Sequence, residues 1–143
     1  MLIVFTGHRD AVTDPVILHA LEAEYPGAIW MHGGAEGFDT QCHNVGKLLG
    51  KTVLPPITSE KLRLFALPTT DAIVTVRPAY AMYHDAQKRM APIIRNEAMV
   101  SRMSAGDLLV ACWDGREKGG TWQCVSYALR NGKTVRIVDV RKL

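Results

Sequence analysis

Three short stretches of this 143-residue chain combine glycine with polar side chains: TGHRD (6–10), HGGAEGFD (32–39) and WDGREKGGT (113–121). Each directly follows an apolar run, and two of them lead into segments with helical spacing. A helix N-terminus presents unpaired N–H groups and about half a positive charge, which favours a phosphate. Glycine lets such a ligand reach the backbone with no Cβ in the way. On this reading Gly33, Gly34 and Gly37 form an anion cradle; the plainer reading is a set of tight turns. Two known phosphate fingerprints do not fit. GxGxxG is absent, and GREKGGT has P-loop spacing but Thr121 in the lysine position, so an ATPase is not indicated.

The apolar runs predict the frame that must hold these loops. LIVFTG (2–7), AIWMH (28–32) and LLVAC (108–112) are apolar on both faces, as strands of a covered parallel sheet are. TVLPP (52–56) is a short strand closed by prolines, and TVRIVDV (134–140) is the last strand. Asp14-Pro15 offers an N-cap with proline at the first helical position, before VILHALEAEY and a stop at Pro26-Gly27. Further helices are predicted over FDTQCHNVGKLLG (38–50), IIRNEAMVSRM (93–103) and WQCVSYALRNG (122–132), with Gly50 and Gly132 as stops. Alternating strands and helices predict one α/β domain over residues 1–143, a Rossmann-like open parallel sheet with helices on both faces. In such sheets ligands bind beyond the carboxyl ends of the strands, where strand order reverses. All three polar loops fall at such ends.

Composition adds weaker constraints. A net charge of +3 and a pI near 8.9 suit an anionic small ligand or a nucleic acid, without a basic run to favour the latter. Cys42, Cys112 and Cys124 are odd in number and lack CxxC spacing; with His32 and His43 on separate segments, neither a zinc site nor a disulfide framework is indicated. No metal or cofactor is called for. No apolar stretch approaches the ~18 residues of a membrane span, and the N-terminal LIVF run is too short for a signal peptide. The expectation is a cytoplasmic chain with reduced, buried thiols.

Residues 57–91 exceed an ordinary crossover loop, and long connections of this kind serve as lids or binding loops. A helix from Tyr80 would place Tyr80, His84 and Lys88 on one face, near Arg77 and Tyr83. That face could stack a base and touch phosphate, or lie in solvent, or meet a second subunit; self-association is expected. Among the tryptophans, Trp30 and Trp122 read as core or interface, and Trp113, at a strand's carboxyl end, as a stacking candidate.

FTGHR, HGGAEGFD, the IIRNEAM helix, the LLVACW strand and the GGT loop, in that order, resemble the SLOG superfamily. That group includes the DprA/Smf proteins, the YspA- and YpsA-like proteins and the LOG phosphoribohydrolases; the short single-domain YspA-like branch is the nearest likeness. The resemblance spans the chain except about residues 57–91. It implies a Rossmann-like fold that binds nucleotides or nucleotide-derived ligands. Gly7 and Arg9 would match the family's first turn, with His8 in place of its serine. Gly33, Gly34, Ala35, Gly37 and Asp39 would match the second loop, Arg95 and Asn96 an Arg-Asn pair, and Gly119, Gly120 and Thr121 the last loop. Arg9 and Arg95 could then clamp phosphate oxygens, and Thr121 could add a hydroxyl. Asp39, in the first turn of its helix, either caps backbone N–H groups or contacts a ligand hydroxyl.

One departure bears on catalysis. In the LOG branch an essential glutamate follows the glycine-rich loop within a turn; here Trp122, Gln123 and Cys124 stand there. Asp114 or Glu117 could substitute, or both are solvated loop charges. The expected function is therefore binding of a small phosphorylated nucleoside ligand. The alternatives are hydrolysis of an N-glycosidic or phosphate bond in such a ligand, and a DprA-like single-stranded DNA-binding module.

Overall fold

The computed structural model describes residues 1–54 and 91–143. In chain order the elements are β1 (Leu2–Gly7), β2 (Ala11–Val12), α1 (Pro15–Glu24), β3 (Ile29–His32), α2 (Phe38–Leu48) and β4 (Val53–Leu54). After the segment not described come α3 (Ala91–Ser101), β5 (Leu108–Cys112), α4 (Gly119–Arg130), β6 (Thr134–Val138) and β7 (Arg141–Lys142). The region in which a helix was expected from Tyr80, with Arg77, Tyr83, His84 and Lys88, lies outside the described residues.

Among the described residues, five strands form one parallel sheet in the order β4-β3-β1-β5-β6. β1 is central, with Leu2 opposite Ile29 of β3 on one side and Ile3 opposite Leu108 of β5 on the other. Successive strand residues point to opposite faces, and both faces are covered. Ile3, Phe5, Trp30, Leu108 and Val110 pack with Leu18 and Leu21 of α1 and with Phe38 and Cys42 of α2. Val4, Met31 and Leu109 pack on the other face with Met99 and Val100 of α3 and with Cys124 and Ala128 of α4. This is the open Rossmann-like sheet expected from strands that are apolar on both faces. Phe5 anchors the first layer, its ring 4.8 Å from that of Trp30 and 6.0 Å from that of Phe38. No helix of the described residues is long and apolar enough to cross a membrane.

Local signals account for most boundaries. Asp14 caps α1, its Oδ1 accepting the Val16 N–H at 3.0 Å, with Pro15 at the first helical position. Behind α1, buried Lys51 donates to the carbonyls of Tyr25 (3.3 Å) and Pro26 (2.9 Å) and pairs with Glu22 at 2.6 Å. Two boundaries and one strand pairing call for explanation. α4 starts at Gly119, so GGT is its first turn; two glycines weaken a helical reading of sequence that tertiary packing overrides. β6 ends at Val138, because the chain then turns so that Asp139 accepts a hydrogen bond from the Thr13 hydroxyl at 3.0 Å. The remaining residues form an unexpected second sheet, β7 antiparallel to β2, closed by the Leu143 N–H on the Asp10 carbonyl at 2.9 Å.

Candidate functional site

The chain runs from β1 to β3 and β4 on one side and only later to β5 and β6 on the other, so strand order reverses between the carboxyl ends of β1 and β5. A cavity of about 320 Å³ opens there. The turn after β1 contributes Thr6, Gly7, His8, Arg9 and Asp10 to its wall, and the second loop and α2 contribute Ala35 and Asp39. Among the described residues, Arg95 and Asn96 of α3, Arg116, and Gly120 and Thr121 of α4 make up the rest. Nine residues singled out by sequence thus share one wall: Gly7, His8, Arg9, Ala35, Asp39, Arg95, Asn96, Gly120 and Thr121. Gly33, Gly34, Gly37, Asp114 and Gly119 stand outside the lining.

The expected cradle at Gly33, Gly34 and Gly37 works differently from a phosphate nest. Asp39 Oδ2 accepts the N–H groups of Gly33 and Ala35, both at 3.1 Å, and the Gly34 N–H donates to His32 Nδ1 at 3.0 Å. Three successive N–H groups are therefore taken by the chain's own side chains, and a carboxylate of the protein holds the place of an external anion. With Nδ1 accepting, His32 carries its proton on Nε2, which lies 2.9 Å from Nδ1 of His43. The two imidazoles, far apart in type of element, form a buried pair under the loop; among the described residues no group of three metal-binding side chains occurs.

The glycines serve close packing. A Cβ on Gly33 would lie 2.7 Å from Arg95 Nε, and one on Gly37 would lie 2.5 Å from the Arg9 carbonyl oxygen. Gly37 also has φ +75°, which a side chain resists. A Cβ on Gly7 would strike the Phe38 side chain at 2.6 Å. The first turn and the second loop are thus pressed together backbone to backbone.

Asp39, in the cavity lining, is only 3% exposed. Burial pushes its carboxyl up to about 6, against the pull of Arg95 and the two loop N–H groups. Its Oδ1 has no hydrogen-bond partner among the described residues. Cationic side chains line the same cavity. Arg95 is 7% exposed and donates through Nη2 to Asn96 Oδ1 at 3.4 Å. Asn96 Nδ2 reaches the Gly120 carbonyl at 3.2 Å and Gln123 Oε1 at 3.3 Å, and Gln123 Nε2 reaches Glu97 at 3.3 Å. The turn in which a LOG-like glutamate would stand is therefore filled by an amide tied to α3. Lys118 precedes α4 with no side-chain cap, so among the described residues no side chain takes the first N–H groups of that helix, beside buried Thr121.

His8 and Asp114 link the turn after β1 to the loop after β5. His8 Nε2 lies 3.2 Å from both the Asp114 N–H and Asp114 Oδ1. The first contact needs an accepting nitrogen and the second a donating one, so they cannot both be hydrogen bonds of one neutral tautomer. Burial, then the Arg116 charge, lower the His8 pKa, which favours the neutral ring. Asp114 does not line the cavity; it holds Arg116, accepting its N–H and its Nε, each at 3.1 Å through Oδ1. Arg116 escaped the sequence reading, although a cation in the same loop as Gly119, Gly120 and Thr121 was the available signal. Trp113 is stacked on Trp122 (centroids 5.3 Å apart, 19° between planes) and donates to the Arg116 carbonyl at 2.9 Å, so it braces this loop. The three cysteines are buried free thiols. Burial pushes Cys42 well up and Cys112 and Cys124 to about 12, which removes them as nucleophiles at neutral pH.

No family model matches the chain, and no curated protein or solved structure matches it. Fold and geometry define a Rossmann-like α/β chain with a polar, arginine-walled cavity at the reversal point of its sheet.

Proposed function

We propose that this chain binds a small phosphorylated nucleoside or nucleotide derivative in the cavity between β1 and β5. The observation that carries the reading is the convergence of Arg9, Arg95 and Arg116, from three separate segments, with the N-terminus of α4, which no side chain caps among the described residues, around one cavity. Guanidinium groups match phosphate oxygens in pairs, and helix N–H groups with the helix dipole add to the same field. A volume of about 320 Å³ is at the lower end of small-molecule sites. The motif likeness to the SLOG superfamily points to the same ligand class.

Binding is preferred to turnover. No carboxylate stands on the turn after Gly119-Gly120-Thr121, and Gln123 is engaged with Asn96 and Glu97. Incubation with nucleoside monophosphates should accordingly leave them intact by chromatography; free base or phosphate would establish the hydrolase instead.

The reading is tested by thermal shift and calorimetry with nucleoside mono-, di- and triphosphates and ADP-ribose. A ligand at a hundred times its dissociation constant stabilises by about 2.7 kcal/mol, several degrees for a chain of this size. The shift should shrink in Arg116→Ala, an exposed position, and in Arg95→Ala. No shift in the wild type, or undiminished binding by both variants, would remove the reading.

A further inference from the structure

The Asp39 carboxyl group is divided between two tasks. Oδ2 closes the second loop on the N–H groups of Gly33 and Ala35, while Oδ1, equally buried, is without a partner among the described residues in a side chain that lines the cavity. A buried acceptor left unsatisfied is costly and rare in native structures. The rest of the wall offers chiefly donors: three arginines, the α4 N-terminus and the Thr121 hydroxyl. Among the described residues the other carboxylate of the wall, Asp10, is exposed and paired with Lys142 Nζ at 3.2 Å. The Asn96 carbonyl oxygen is engaged by Arg95. A ligand that was anionic throughout would bring like charge against Asp39.

We infer that the ligand carries a hydroxyl donor besides its anionic group, and that Asp39 Oδ1 accepts a hydrogen bond from it. The inference rests on the function proposed above and narrows it. Within that class the donor is a ribose hydroxyl, so the site prefers ribosyl phosphates to their dideoxy counterparts. Asp39 is in this view a specificity-determining contact, held in place by the loop it caps.

The test is calorimetric titration of the full chain with AMP, GMP, CMP and UMP, then with the 2′,3′-dideoxy form of whichever binds. The wild type should bind the dideoxy form at least tenfold more weakly, the effect of losing a hydrogen bond to a charged group. Asp39→Asn should keep the loop, its carbonyl oxygen facing Gly33 and Ala35, and turn an NH₂ donor toward the ligand. That variant, whose NH₂ can donate to the hydroxyl oxygen but which lacks the charge, should discriminate between the two forms several-fold less than the wild type. Equal affinity of the wild type for both forms overturns the inference while leaving the proposed function standing, and so does an unchanged ratio in a folded Asp39→Asn. If Asp39→Asn does not fold, the wild-type ratio alone decides. If none of the four monophosphates binds, the best binder of the thermal-shift panel and its dideoxy form are titrated instead; if nothing on that panel binds, the proposed function fails and this inference with it.

Discussion

The guanidinium of Arg95 lies on the bare backbone of Gly33, so close that a Cβ there would stand 2.7 Å from Nε and 2.9 Å from Cζ. The glycine is therefore the seat of an arginine. Gly33→Ala should displace Arg95 and weaken anion binding about tenfold or more, since a hydrogen bond to a charged group contributes roughly 1.5–3 kcal/mol. Titration with the best-binding nucleotide measures it; affinity equal to wild type would show that Arg95 is not needed where it sits.

Gly37 and Gly50 both have positive φ, +75° and +69°. A side chain at Gly50 meets nothing within 4 Å, whereas one at Gly37 meets the carbonyls of His8 and Arg9. Gly50→Ala should cost about 1–2 kcal/mol from backbone strain alone. Gly37→Ala should cost clearly more, about 3 kcal/mol or above, once the clash is added. Urea unfolding of the two variants side by side gives the comparison, and equal losses would contradict the packing described.

Stability should depend on pH through Asp39. Its folded-state carboxyl is raised from the ordinary 3.8 to about 6, so between these values the native state holds a proton that the unfolded chain has lost. The stabilisation is complete below pH 3.8 and is lost as pH rises through about 6. The difference corresponds to roughly 3 kcal/mol as an order of magnitude. Unfolding free energies measured from pH 4 to pH 7 should fall more steeply in the wild type than in Asp39→Asn, which has no proton to lose.

Lys51 separates stability from binding. It sits at the amino-terminal side of β4, away from the cavity, tied to the Tyr25 and Pro26 carbonyls and to Glu22. Lys51→Met leaves these acceptors without their donor and should cost about 1–3 kcal/mol. Nucleotide affinity measured below the unfolding transition should stay at the wild-type value; a parallel loss of affinity would mean that the two ends of the sheet are coupled.

The frame was legible because its signals are local. LIVFTG and LLVAC are apolar at every second position on both faces, and Asp14-Pro15 marks a helix start without reference to anything distant. β2 and β7 were not legible: Ala11–Val12 and Arg141–Lys142 have no strand pattern, and their pairing is decided by where β6 delivers the chain. At the site, glycine crowding located the loops but not their use. Only the fold shows that the N–H groups of residues 33–35 turn inward to Asp39 and His32, since that depends on the direction of α2 behind them. The His32–His43 pair was hidden for the same reason, one ring ending a strand and the other one turn into a helix.

The small β2–β7 sheet sets a condition on assembly. Asp10, one residue past Arg9 in the cavity wall, is gripped by the Leu143 N–H on its carbonyl and by Lys142 on its carboxylate, across 132 positions of sequence in the latter case. A ribosome releases the turn after β1 long before it releases the segment that braces it. Closing so long a loop is entropically unfavourable and slow compared with helix formation. The brace is therefore a non-local contact of the same order as the β1–β5 pairing, beside which Leu2 and Asp107 meet across 105 positions, and the first turn is held in its final place only once that distant segment has docked.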